Sequence, residues 1–309
     1  MTASTTRRTT AAKSRLAAVG ALAAAGALVL SACGDQTDKA ESGDAGTKDS
    51  SASAPAYDLP QKIKDSGVVK VGSDINYAPM EFTDKDGKAT GVDVAIGAAL
   101  GKEMGVEFAF ESGVFDNLIP SLDTGRYDVI MSSMSDTKER QGKVDFVDYF
   151  TAGVSILAQK GNPKGVQSLD DLCGKTIAYQ RGTVSADVAK AQNGKCPAGK
   201  KIKTLEFETD TEALLQVKQG RAVADLNDFP VAAYNAKTSG GGNDFEVVGE
   251  QVDAGPYGIA VTKENKQLRD AIAKALDAII ANGEYEKVLK EWNVEQGGVD
   301  KAAVNGGSE

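Results

Sequence analysis

The chain has 309 residues, with 35 Lys and Arg against 44 Asp and Glu, and no histidine. The missing histidine excludes His-based triads, His general bases and His metal sites. A net charge of −9 argues against nucleic acid and against a polybasic membrane contact.

The first segment carries Arg7, Arg8, Lys13 and Arg15, then an apolar run from Leu16 to Leu30. A basic start, a short apolar stretch and small residues after it predict a secretory signal over residues 1–32. The run falls short of the roughly 20 apolar residues that span a bilayer. Its exit, Leu30-Ser31-Ala32-Cys33, looks like a bacterial lipobox, where a lipid is joined to the Cys33 thiol and the chain is cut before it. The plainer alternative is a small-residue cleavage site that happens to precede a cysteine. Cutting there removes four positive charges and no negative ones, taking the formal charge from −9 to −13. Cys173 and Cys196 then remain as an even pair in an exported chain, which predicts a disulfide; two separate buried thiols are the alternative.

Residues 33–56 hold no large apolar side chain and read as a flexible tether, spanning on the order of 25–30 Å. From Tyr57 onward strands and helices alternate. The expected order is a strand at Val68–Ser73, a helix at Asp93–Met104, a strand at Val106–Glu111, a short helix at Asn117–Leu122 and a strand at Val129–Met131. A long strand follows at Gly153–Gln159, then Ser168–Asp171, a capping box with Asp in place of Glu. Thr176–Tyr179 is a strand, 184–191 a helix, Lys203–Phe207 a strand and Thr211–Lys218 a helix. Ala222–Leu226 is a strand, Asp228–Ala236 starts a helix, and Phe245–Val248 and Gly258–Val261 are extended. Lys266–Ala281 and Glu284–Trp292 are terminal helices, and residues 295–309, Gly-rich and polar, are expected to fray. This alternation predicts an α/β fold with largely parallel sheets, and about 235 residues suit two lobes better than one sheet.

Ligands of open α/β sheets sit beyond the carboxyl ends of strands. Four polar clusters lie there: Asp74–Tyr77, Ser132–Arg140, Gln180–Ser185 and Asn227-Asp228. Arg140 offers a guanidinium fork that matches a carboxylate, unless it is an ordinary surface arginine. Ser132, Ser133 and Ser135 offer hydroxyls and turn amides, or make a plain turn. Thr183 opens a helix whose free amides suit an anion, or is simply its cap. Asp228 can pair with an ammonium or cap the next helix. Tyr77 and Phe115 can wall a side chain or pack in a core. Taken together, the clusters describe a carboxylate clamp, an ammonium acceptor and aromatic walls, which fits a free α-amino acid.

The segments VKVGSDINYAPMEF (69–82), GVDVAIGAAL (91–100), NLIPSLDTGRYDVIMSSMSDTKER (117–140) and NGEYEKVLKEWNV (282–294), in this order and spacing, resemble the family 3 extracellular solute-binding proteins. Those are amino-acid receptors of ABC importers. The resemblance implies a periplasmic-binding-protein-like fold: two Rossmann-like lobes joined by a two-strand hinge that closes on ligand. It implies a first lobe of residues 57–153 and 253–294 and a second of 154–252, with crossings near Ala152–Ser155 and Gln251–Pro256. By the same match Arg140 holds the α-carboxylate, with Ser135 and Thr183 nearby. Asp228 and the Ser133 region hold the ammonium, and Asp74, Tyr77, Phe115 and Gln180 face a polar or basic side chain. The expected partners are a free amino acid, permease subunits and the membrane through the Cys33 lipid. No nucleic acid, no cofactor and a monomer are expected. Departures from the family pattern are Ala222-Val223-Ala224 after Gly-Arg, Val184, and Asp136 in a commonly apolar position. The rival reading, a dehydratase of cyclic carboxylic acids, needs a positioned acid or base such as Asp74 or Glu81.

Overall fold

The structure, a computed structural model, describes residues 57–307; Cys33 and the segments on either side of it lie outside them. One mixed sheet runs through the molecule. In spatial order its strands are Glu107–Ser112, Val68–Ser73, Val129–Ile130, Phe245–Thr262, Val144–Gln159, Ala224–Asp228, Thr176–Gln180 and Lys203–Phe207. Val68–Ser73 pairs in parallel with the neighbour on each side, and Thr176–Gln180 does the same in the other half. The two long strands, Val144–Gln159 and Phe245–Thr262, pair antiparallel with each other and traverse both halves.

Separate apolar cores form on the two sides. One gathers Val69, Val71, Ile96, Leu100, Ile272 and Leu276; the other gathers Ile156, Leu172, Ile177, Val188 and Leu226. Helix Lys266–Ala281 shows how local pattern feeds the first core. Leu268, Ile272, Leu276 and Ile279 recur at three- and four-residue spacing, and all are buried. Each such side chain contributes about 1.5–3 kcal/mol on burial. The Asn265 side chain accepts from Leu268 N–H and starts the helix. In the second half Thr209 and Glu212 make a capping box for helix Asp210–Lys218. The Ser168–Asp171 box forms too, over a 3-10 turn. Cys173 and Cys196 are disulfide-bonded, with Cα atoms 5.5 Å apart.

The crossing strands are longer than the sequence pattern suggests. Residues 144–150 continue the first strand although it contains Asp145 and Asp148. Asp145 is paired with Arg269 at 2.8 Å, and Asp148 accepts the Gly306 N–H at 2.9 Å. Partners more than a hundred residues away make these charges tolerable in a sheet. Pairing between the two long strands shifts register between Val248 and Val252, and again between Val252 and Gly255. A Cβ on Gly153 would lie 2.9 Å from the Val252 carbonyl oxygen, so the close crossing needs glycine there.

The chain end differs from expectation. Residues 295–307 do not fray: Glu295–Gly297 is a 3-10 turn, and Ala303–Val304 pairs antiparallel with Asp148 and Val147. Polar, Gly-rich composition suggested a loose end, but backbone hydrogen bonding to a sheet edge needs no apolar side chains.

Candidate functional site

The strand ends of the two halves face one another across a narrow cavity. Asp74, Tyr77, Phe115, Ser132, Ser133, Ser135 and Arg140 line it from one side and Gln180, Thr183 and Asp228 from the other. All ten sequence candidates therefore reach the same space. Glu81 and Val184 join them. Glu81 pairs with Tyr77 across a small hairpin and so shares its face; the signal was the short turn between them.

Arg140 is half-buried. Its Nη1 donates to Ser135 O at 2.7 Å and its Nη2 to Gly182 O at 2.9 Å, and the guanidinium lies 5.5 Å from the centre of the Phe115 ring. Two backbone carbonyls, one from each half, thus aim the fork and leave three of its five donors uncommitted. Burial lowers its pKa, while Asp228 and Asp187 pull the other way.

Asp228 occupies the N-cap position of helix Phe229–Thr238, yet its side chain makes no cap hydrogen bond. The ordinary capping role is therefore not what holds it. Its backbone N–H donates to Tyr77 Oη at 3.1 Å. Burial pushes the carboxyl up to about 6, against the pull of the Tyr257 and Tyr77 hydroxyls and of Arg140.

The serines behave differently from the plain reading of their hydroxyls as ligand donors. Ser132 Oγ donates to Glu81 Oε1 at 2.9 Å and accepts the Asp74 N–H; Ser133 Oγ donates to Glu81 Oε2 at 3.1 Å. Their protons are spent on orienting Glu81. Ser133 has φ 46°, and the bond from its N–H to Asp93, at 2.8 Å, holds that conformation. Tyr149 Oη donates to the other Asp93 oxygen. Burial and the charge of Asp93 push Glu81 well above the usual carboxylate range.

Thr183 Oγ1 donates to Gln180 O and accepts from Ala186 N–H, so its side chain is indeed a cap. Thr183 and Val184, where helix Val184–Lys195 begins with amides that have no intrahelical partner, line the cavity. Asp74 accepts from Asn76 Nδ2 at 3.0 Å and from Gln180 Nε2, a contact that spans the cleft. Burial raises its pKa. Outside the cavity, Arg181 Nη2 meets Glu208 of its own half at 3.0 Å, and its Nε meets Asp116 at 2.7 Å, a further bridge between the halves. Among the described residues no cluster of three or more His, Cys, Asp or Glu could hold a metal ion.

The cavity can therefore oppose one cation to a carboxylate and several acids to cationic groups. Residues 69–295 match the bacterial extracellular solute-binding proteins, family 3. The arginine-binding protein ArgT of Corynebacterium glutamicum is 34% identical over 250 residues, 80% of this chain and 81% of that protein. An ancestral arginine-binding protein solved with arginine is 35% identical with a TM-score of 0.69, covering 73% of this chain and 98% of that one. An ancestral amino-acid-binding protein, described as a precursor of cyclohexadienyl dehydratase, is 37% identical with a TM-score of 0.68, over 75% of this chain and 97% of that one.

Proposed function

Because this chain belongs to the family 3 bacterial extracellular solute-binding proteins, we propose that it is an exported, lipid-anchored receptor that binds a free basic amino acid between two closing lobes and delivers it to the permease of an ABC importer. The lobes are residues 57–153 with 253–294, and 154–252. Arg140 takes the α-carboxylate together with the helix amides at Thr183. Asp228, with the Ser133 region, takes the α-ammonium. Asp74 and Gln180 meet the cationic end of the side chain, walled by Tyr77 and Phe115.

One observation carries this reading: among the described residues Arg140 is the sole basic one lining the cavity, against Asp74, Glu81 and Asp228. A zwitterion brings one charge of each sign. Arg140 and Asp228 satisfy both, and Glu81, buried beside Asp93, is driven toward its neutral form. Asp74 is then left over: Asn76 and Gln180 donate to it, but among the described residues lining the cavity no cation remains to offset its burial. A ligand with a second positive charge removes that cost. The arginine-binding relative supports the choice.

Calorimetry of the domain from residue 57 against all common amino acids tests it. Arginine or lysine should bind most tightly, and an acidic or apolar amino acid as the best ligand would overturn the assignment. Turnover of a cyclic carboxylic acid would favour the dehydratase reading instead. The Cys33 anchor is tested separately: a Cys33→Ser variant should leave the membrane fraction.

A further inference from the structure

The family match ends at residue 295, and the chain beyond it does something specific. It turns back over the first lobe and is tied at every step. Val299 N–H donates to Tyr285 Oη at 3.1 Å, and Ala302 N–H to Asp277 at 2.8 Å. Asn305 brackets Phe146: its N–H donates to Phe146 O, and its Oδ1 accepts Phe146 N–H at 2.8 Å. Its Nδ2 donates to Asp145 at 3.0 Å.

The last two steps reach the crossing strand and the Ser135–Arg140 loop. Gly306 N–H donates to Asp148 Oδ2 at 2.9 Å, and Gly307 N–H donates to Asp136 Oδ2 at 2.8 Å. Gln141 Nε2 donates both to Asp136 Oδ1, at 2.8 Å, and to Gly307 O, at 3.1 Å. Asp136 directly follows Ser135, whose carbonyl holds the Arg140 guanidinium, and Gln141 directly follows Arg140. Asp136 is buried, and its N–H donates to Pro256 O in the crossing strand. The chain end thus clips together the two ends of the Ser135–Arg140 loop. It approaches so closely that a Cβ on Gly307 would sit 1.8 Å from the Asp136 carbonyl oxygen.

We propose that residues 303–307 are a strap that positions Arg140 for the ligand carboxylate, with Asp136 and Gln141 as its positioning residues. The proposal rests on the reading of Arg140 as the carboxylate clamp. It also gives Asp136, acidic where an apolar residue is common, a defined task. A carboxylate here accepts one N–H from the strap and one from Gln141, and an apolar side chain accepts neither.

The test is a double-mutant cycle read by calorimetry with arginine. Gly307→Ala unseats only the strap's end, and Asp136→Leu removes its anchor. Each should weaken binding about five- to tenfold in the parent and less than twofold in an Arg140→Met background, because the effect passes through Arg140. Asp136→Asn keeps an acceptor and should stay within about threefold of the parent. Thermal melting checks that each variant is folded. Equal weakening in both backgrounds would mean general loosening and overturn the strap, as would parental affinity in Gly307→Ala and Asp136→Leu alike. Parental affinity in Arg140→Met alone would instead overturn the clamp reading beneath it.

Discussion

Arg140 and Asp228 face the cavity from opposite sides, and the ligand assigned to them has one charge for each. A closed cleft removes most of the ligand's water, so each charge needs its counterpart. Removing one partner of such a buried pair costs on the order of 2–5 kcal/mol. Arg140→Met and Asp228→Asn are each expected to weaken binding by about thirtyfold or more, measured by calorimetry, while the exposed Lys138→Ala changes little. Asp74→Asn should cost basic amino acids at least about tenfold and leave glutamine nearly unaffected. The Asp228 carboxyl, raised to about 6, sets a pH dependence. In the empty protein its proton is held to higher pH than in the unfolded chain. That contribution to stability is present in acid and is lost as pH rises from 3.8 through 6. A bound ammonium reverses the preference, because it requires the carboxylate. Affinity should therefore fall about tenfold from pH 7 to pH 5, and Asp228→Asn should flatten that slope. Asp74, raised by burial, shifts in the same direction.

At the scale of elements, the disulfide joins the start of one segment of the second lobe to the end of helix Val184–Lys195. It closes a loop with a sequence separation of 23, worth about 3 kcal/mol in the chain-entropy model. Scanning calorimetry with and without reductant should show a lower melting temperature on reduction, by about 6–12 °C if the domain melts as one unit. Arginine affinity should change less, since neither cysteine lines the cavity. The crossing strands set the opposite constraint. Their register shifts at Val248, Val252 and Gly255 leave fewer rungs where the lobes meet than along either half. Gly153→Val, placed against the Val252 carbonyl, should disturb closure without emptying either core.

For the whole molecule, direct side-chain contacts join the two halves. Gln180 reaches Asp74, Arg140 reaches Gly182, and Arg181 bridges to Asp116. A ligand shifts an open–closed equilibrium only by what it gains in the closed form. Arg181 lies outside the cavity and its bridge is half-exposed. Arg181→Ala is expected to weaken every amino acid by about two- to fivefold, with the order of preference unchanged. A change in that order would place Arg181 in the ligand site. Small-angle scattering of the same variant should show more expanded dimensions without ligand, and compaction on adding arginine.

The sequence alone determined the elements whose stability is local. Val68–Ser73, Lys203–Phe207, Lys266–Ala281 and Glu284–Trp292 stand where periodicity and caps put them. The polar strand ends also indicated which residues would meet, because a strand's carboxyl end in such a sheet opens onto the cleft, and all ten line one cavity. Tertiary structure decided the rest. It carried Asp145 and Asp148 into a strand through partners at Arg269 and Gly306. It turned the Ser132 and Ser133 hydroxyls toward Glu81, and freed the Asp228 carboxyl from the cap that its position suggested. It bound the Gly-rich end to a sheet edge. In each case the energy lies in a hydrogen bond or ion pair between residues far apart in the chain. Local propensity weighs only neighbours, so it sees the polar group and not the partner that makes its burial tolerable.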